Sequence, residues 1–108
     1  MKKNILTKHE EYSKDGVLLI EGQYDDDERK TGIWYEYYKT GKLAAEFRYK
    51  NGILNGTYKS YHENGMIWCL GNYLNDKKEG KFEVYNPDGK IILLCEYNND
   101  KIINQESL

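Results

Sequence analysis

The sequence predicts an all-β fold: a single-layer antiparallel β-meander of about eight to nine strands, built from 24-residue hairpin repeats. Three observations carry that expectation: residues that recur in phase, turn dipeptides between the recurrences, and a polar, tyrosine-rich composition. Gly56, Tyr58, Tyr61, Gly65, Ile67 and Tyr73 recur 24 residues earlier as Gly32, Trp34, Tyr37, Gly41, Leu43 and Tyr49. They recur 24 residues later as Gly80, Phe82, Tyr85, Gly89, Ile91 and Tyr97. Self-similarity at one period marks an array of units, none of which can bury a face alone. With 39% hydrophobic residues and a mean hydropathy of -0.90, a thin sheet fits better than a thick closed core. Tyrosine, at 11 of 108 residues, covers apolar surface while keeping a hydroxyl in water.

The chain reads as one domain over residues 1–108, with repeats at 8–31, 32–55, 56–79 and 80–103 and a C-terminal cap at 104–108. In the degenerate first unit, Tyr12, Gly16, Leu18 and Tyr24 match Tyr37, Gly41, Leu43 and Tyr49 at an offset of 25. The extra residue lies in the loop Asp25–Thr31, which is one longer than its counterparts and holds the densest acidic run. Asp25, Asp26 and Asp27 there read as a solvated loop tip, with an acidic docking site for a basic partner as the alternative.

Turn signals divide each unit. Asp15-Gly16, Thr40-Gly41, Asn64-Gly65 and Asp88-Gly89 are expected to centre two-residue hairpin turns, and Asn51-Gly52, Asn75-Asp76 and Asn99-Asp100 a second set. If Asn64 and Gly65 are central, Gly56 faces Tyr73 and Tyr58 faces Gly71; the same rule sets Gly32 against Tyr49 and Gly80 against Tyr97. A tyrosine ring is then expected over each glycine. Alternation places Leu18, Ile20, Gly22, Tyr24 and their equivalents, through Ile91, Leu93, Cys95 and Tyr97, on one core face. On the other face Tyr61, Trp68, Leu70, Tyr85, Ile92 and Leu94 are expected to form an apolar patch, the candidate partner surface. Asn104 falls where a further repeat would need its glycine, and an edge strand is expected there, with Gln105–Leu108 as a polar cap.

The pattern Gly-x-aromatic-x-x-Tyr-x-x-x-Gly-x-Leu/Ile, strongest at Gly32–Leu43 and Gly80–Ile91, resembles the MORN (membrane occupation and recognition nexus) repeat, and more closely its bacterial variant form. The resemblance spans roughly residues 8–104. It implies an elongated, twisted, single-layer sheet of stacked hairpins used for binding, with membrane lipids and protein scaffolds among the ligands of eukaryotic relatives. For bacterial relatives it implies a role in neutralising a toxin.

Side-chain chemistry points away from catalysis. His9 and His62 are the only histidines, fall on different hairpins, and neither is set beside a nucleophile and an orienting group. Cys69 and Cys95 lie two strands apart, too far for a disulfide, and with the histidines they match no zinc spacing. No phosphate-binding glycine loop occurs, and an open sheet offers no cleft for paired carboxylates. No cofactor, metal or catalytic residue is therefore expected. A formal charge of -2 disfavours nucleic acid and anionic lipid, and no stretch is long enough for a membrane span. The basic start lacks an apolar core after it, so a cytoplasmic location is expected. The functional expectation is a non-enzymatic protein-binding module, in its sharper form the antitoxin or immunity partner of a toxin, with a homo-oligomerising scaffold as the alternative.

Overall fold

A computed structural model of the chain describes residues 5–108. Its strands are β1 (Thr7–Tyr12), β2 (Leu18–Tyr24), β3 (Lys30–Tyr37), β4 (Leu43–Lys50), β5 (Ile53–Leu54), β6 (Gly56–Tyr61), β7 (Ile67–Leu74), β8 (Lys77–Lys78), β9 (Gly80–Tyr85), β10 (Ile91–Asn98) and β11 (Lys101–Ser107). They form one 11-stranded sheet in the order β1-β2-β3-β4-β6-β7-β9-β10-β11, with two-residue β5 beside β4 and β8 beside β7. Every pairing is antiparallel, and apart from the two-residue β5 and β8 each strand lies beside the next one along the chain, which is the expected meander. Extents of 50 × 35 × 17 Å are those of a single layer.

Far from the turns the register is the expected one. Gly56 pairs with Tyr73, Tyr58 with Gly71, Gly32 with Tyr49 and Gly80 with Tyr97. Near the turns it is not. The loop after Tyr61 carries three residues rather than two: Gly65 N–H donates to His62 O at 2.9 Å and His62 N–H to Met66 O at 2.8 Å. Positive φ falls on Gly65 (90°) and not on Asn64, so the loop is a type I turn closed by a left-handed glycine. Gly16, Gly41 and Gly89 close the same loop with φ of 85°, 91° and 88°.

The odd residue in each loop is cancelled by a bulge. Ser60 pairs with Cys69 but Tyr61 pairs with Ile67, which leaves Trp68 as the extra residue on β7. Leu19, Ala44 and Ile92 are extra at the matching places in β2, β4 and β10. A two-residue turn without a bulge and a three-residue turn with one give identical distant pairings, and opposite faces between them. Leu18, Leu43, Ile67 and Ile91 are therefore not on the core face; they share the opposite face with Tyr12, Tyr37, Tyr61 and Tyr85.

The core lies on the face carrying Trp34, Phe47, Tyr58 and Phe82, called here the ring face. The buried apolar side chains, Trp34, Ala45, Phe82 and Cys95, all stand on it. Rings pack along it edge-on: Tyr24 on Trp34, Trp34 on Tyr49, Tyr73 on Phe82 and Phe82 on Tyr97, with centroids 5.1–6.1 Å apart. Lys30 and Lys78 lay ammonium groups over the rows, 4.6 Å from Trp34 and 5.0 Å from Tyr97.

The expected cover of glycine by tyrosine is corrected. Nothing lies within 4 Å of where a Cβ on Gly80 would sit, and the nearest groups at Gly32 and Gly56 are the Gln23 and Arg48 side chains. These glycines are needed for their backbone, with φ of 71°, 120° and 79° at Gly32, Gly56 and Gly80. The covered glycines are Gly22, under Trp34, and Gly71, under Phe82. Each ring reaches across from the following unit, so the cover stitches units together.

At the second set of turns both central residues have positive φ, as a two-residue type I′ turn requires: Asn51 and Gly52, Asn75 and Asp76, Asn99 and Asp100. Asp76 and Asp100 stand where Gly52 does in the earlier copy, and each uses its side chain. Asp76 Oδ1 accepts from Leu54 N–H and Asp100 Oδ1 from Lys78 N–H, both at 2.7 Å. Each turn is thus tied to the preceding one.

Candidate functional site

The six apolar candidates do not form one patch. Tyr61, Leu70, Tyr85 and Leu94 lie on the face opposite the rings, but carboxylates separate them: Glu83 pairs with both Leu70 and Leu94, and Leu94 in turn with Glu106. Tyr61 donates its hydroxyl to Glu46 at 2.6 Å, and Tyr85 donates to Glu83. Trp68 and Ile92 are the bulge residues of β7 and β10 and leave that alternation. The expected patch fails because the bulges reset the faces and because the tyrosines face charge.

Those tyrosines belong to a recurrent device. Tyr37 donates to Glu21 at 3.0 Å and Tyr12 to Glu10 at 3.0 Å, so the equivalent tyrosine of all four units ends on a carboxylate. Partial burial, reinforced by Glu21 and Glu46 respectively, pushes Tyr37 and Tyr61 up to about 12. The Glu83 hydrogen bond raises Tyr85 in the same direction. Tyr85 takes its partner from its own strand because Leu70 stands where Glu46 would be. Aligning the repeats would have shown this, since Glu21 and Glu46 give way to Leu70 and Leu94 just where Glu83 appears.

Trp68 is the conspicuous side chain on the other side. It is 47% exposed although it sits within a strand. It borders an apolar depression of about 430 Å³ on the ring face, with Tyr38, Ala45, Tyr58, Ser60 and Val84. His62 holds it: the two rings stack at 5.0 Å and 19°, and His62 Nε2 donates to Tyr85 O at 2.7 Å. The neighbouring loop is tied in the same way, by the Tyr38 hydroxyl on Tyr61 O. Pre-positioned side chains lose little freedom on binding, and tryptophan offers a large contact area at low entropic cost.

The acidic trio lies in the loop between β2 and β3 and spends its charge locally. Asp25 Oδ1 accepts from the N–H groups of Asp27 and Arg29, both at 2.9 Å; Arg29 also reaches Asp25 Oδ2 at 3.2 Å and Asp27 Oδ2 at 3.0 Å. The backbone N–H of Arg29 is the main reason the Asp25 carboxyl sits below its ordinary range. Carboxylate oxygens of Asp25, Asp26 and Asp27 lie within 4.8 Å of one another, but this arrangement builds its own turn. Glu28 closes that turn with φ of 62°, taking the left-handed position that the other three-residue loops give to glycine.

His9 packs between Tyr24 and Trp34, with centroids 5.4 Å from each. Cys69 and Cys95 are free thiols; burial pushes Cys69 up and away from the thiolate a nucleophile needs. Among the described residues there is no helix, and so none long and apolar enough to cross a membrane.

Repeats of this geometry have a family counterpart. The family described as MORN repeat variant matches residues 30–51, 54–75 and 78–99, more than half the chain in three consecutive copies. The chain belongs to the MORN repeat variant family. Each matched copy begins two residues ahead of a left-handed glycine, Gly32, Gly56 or Gly80. Its MORN copies are the three units carrying the ring rows and the interlocked turns. Repeats of this kind are generally non-enzymatic modules that interact with proteins or lipids. A comparison with curated proteins gives no match.

Proposed function

We propose that the chain is a protein-binding module that engages its partner with the ring face around Trp68. The single observation that carries this reading is an indole at a strand bulge, half exposed, braced by His62 and bordering an apolar depression. Bulges commonly re-aim a side chain at a functional surface, and a fixed tryptophan beside an apolar hollow is the residue type that dominates protein interfaces. A protein partner is favoured over a lipid surface because the formal charge is -2 and the depression is apolar rather than basic. The sharper form is an antitoxin: the bound face would block a toxin by occupying it. A cytoplasmic location goes with this reading and is supported by the two free thiols.

The test is affinity capture with the wild-type chain, Trp68→Ala and Leu70→Ala, followed by binding measurements on any protein retained. Trp68→Ala is expected to weaken binding by tenfold or more (about 1.4 kcal/mol or above), with little change from Leu70→Ala. Equal binding by wild type and Trp68→Ala would place the interface elsewhere. Expressing the captured partner alone tests the antitoxin form: growth arrest, relieved by co-expression, supports it, and a harmless partner removes it.

A further inference from the structure

We infer that the partner's docking segment is cationic at one end and apolar at the other, and that it lies across the strands with a lysine or arginine on Glu36 and its apolar side chains over Cys69 and Val84 beside Trp68. This rests on the ring-face reading proposed above and gives the partner its chemistry. The depression is lined by one row of the sheet: Glu36 pairs with Ala45, Ala45 with Ser60, Ser60 with Cys69 and Cys69 with Val84. From β3 to β9 that row crosses four strand spacings, about 19 Å at ~4.8 Å each. Tyr58 borders it toward one end of the strands, and Tyr38 and Trp68 toward the other, so the hollow is a trough directed across the strands.

The row changes character along its length. Its β3 end is the exposed Glu36, and the equivalent positions of the next two repeats are Ser60 and Val84, so the charge belongs to one end of the trough. Glu11, the equivalent residue of the first unit, continues the row through Ile20 and is met by His9 at 2.9 Å. Glu36 has no such partner: among the described residues no lysine, arginine or histidine comes within salt-bridge distance of its carboxylate. Its charge is felt inside the trough all the same. Burial chiefly holds the Tyr58 phenol above its ordinary range, and the Glu36 carboxylate adds to that. A partner lysine or arginine suits both features, since its methylene stem covers apolar floor while its head group reaches the carboxylate at the rim. An acidic segment would be repelled there, and the one-ended charge sets the direction in which the segment lies.

Random peptides long enough to span the row, displayed on phage and selected on the wild-type chain, test this. The enriched peptides are expected to bind Trp68→Ala less well and to combine apolar residues with a lysine or arginine. Selection on Glu36→Lys is expected to replace that basic residue with aspartate or glutamate. For a synthetic enriched peptide, Glu36→Gln is expected to weaken binding about threefold and to flatten its fall with salt. Replacing the peptide's basic residue by leucine should cost about threefold on the wild-type chain and almost nothing on Glu36→Gln. Enriched peptides without a basic residue, or a basic residue whose replacement costs the same on both chains, overturn the inference and leave the ring-face reading standing. Peptides that bind wild type and Trp68→Ala alike, or no enrichment, count against that reading and remove the inference with it. Circular dichroism checks each variant, and if Glu36→Lys fails to fold, Glu36→Gln decides alone.

Discussion

Tyr61 on β6 donates its hydroxyl to Glu46 on β4 at 2.6 Å, so the third unit is tied to the second through a phenol and a carboxylate on the face away from the rings. Tyr37 and Glu21 repeat the tie one unit earlier. Both tyrosines are pushed up to about 12 from an ordinary 10.0, first by burial and then by the carboxylate. The unfolded chain therefore releases these protons first as pH rises. Their contribution to stability is fully present below pH 10 and is lost between pH 10 and about 12. Denaturant melts across that window should fall more steeply for wild type than for Tyr37→Phe/Tyr61→Phe. At neutral pH the double variant should be less stable by about 1–2 kcal/mol. Parallel pH dependences in the two proteins would contradict this account.

Gly71 and Gly80 are both strand glycines but are required for different reasons. A methyl on Gly71 would run into the Phe82 ring, whereas one on Gly80 meets open space at a φ of 79°. Gly71→Ala should cost about 2–3 kcal/mol through overpacking, and Gly80→Ala about 1 kcal/mol through backbone strain. Adding Phe82→Leu should make Gly71→Ala cheaper and leave Gly80→Ala unchanged. Thermal melts of the three single and two double variants measure this; the same interaction energy at both positions would refute the distinction.

Glu28 holds the left-handed position that Gly16, Gly41, Gly65 and Gly89 hold elsewhere. Glu28→Gly should raise stability by about 0.5–1 kcal/mol, the relief of strain outweighing the added freedom of the unfolded chain. The turn itself should persist, because Asp25, Asp27 and Arg29 make its hydrogen bonds. A lower melting temperature for Glu28→Gly would show that the glutamate side chain contributes something its backbone conformation does not reveal.

The meander and its distant pairings were legible because hairpin register depends on the sum of paired residue numbers, and repeated Gly and Tyr positions set that sum. The faces near the turns were not. Reading Asn64 and Gly65 as a two-residue turn placed Ile67 on the core face and Trp68 opposite it; the three-residue loop and the bulge reverse both. Nothing in a dipeptide says how many residues close a loop, because Asn-Gly suits either form. The acidic trio was legible as a loop tip, but not its turn, which depends on Arg29.

The sequence by itself determined the repeat, the antiparallel order and the glycines of the hairpin turns, since these follow from local turn chemistry repeated at one period. Only the tertiary structure decided which residues share a surface. It set Trp68 against His62 beside the ring-face depression, put Phe82 over Gly71, and turned the hydroxyl of Tyr61 to Glu46. Those relations cross from one strand or unit to the next, and a single bulge reassigns a side chain to the other face without leaving a mark in the repeat.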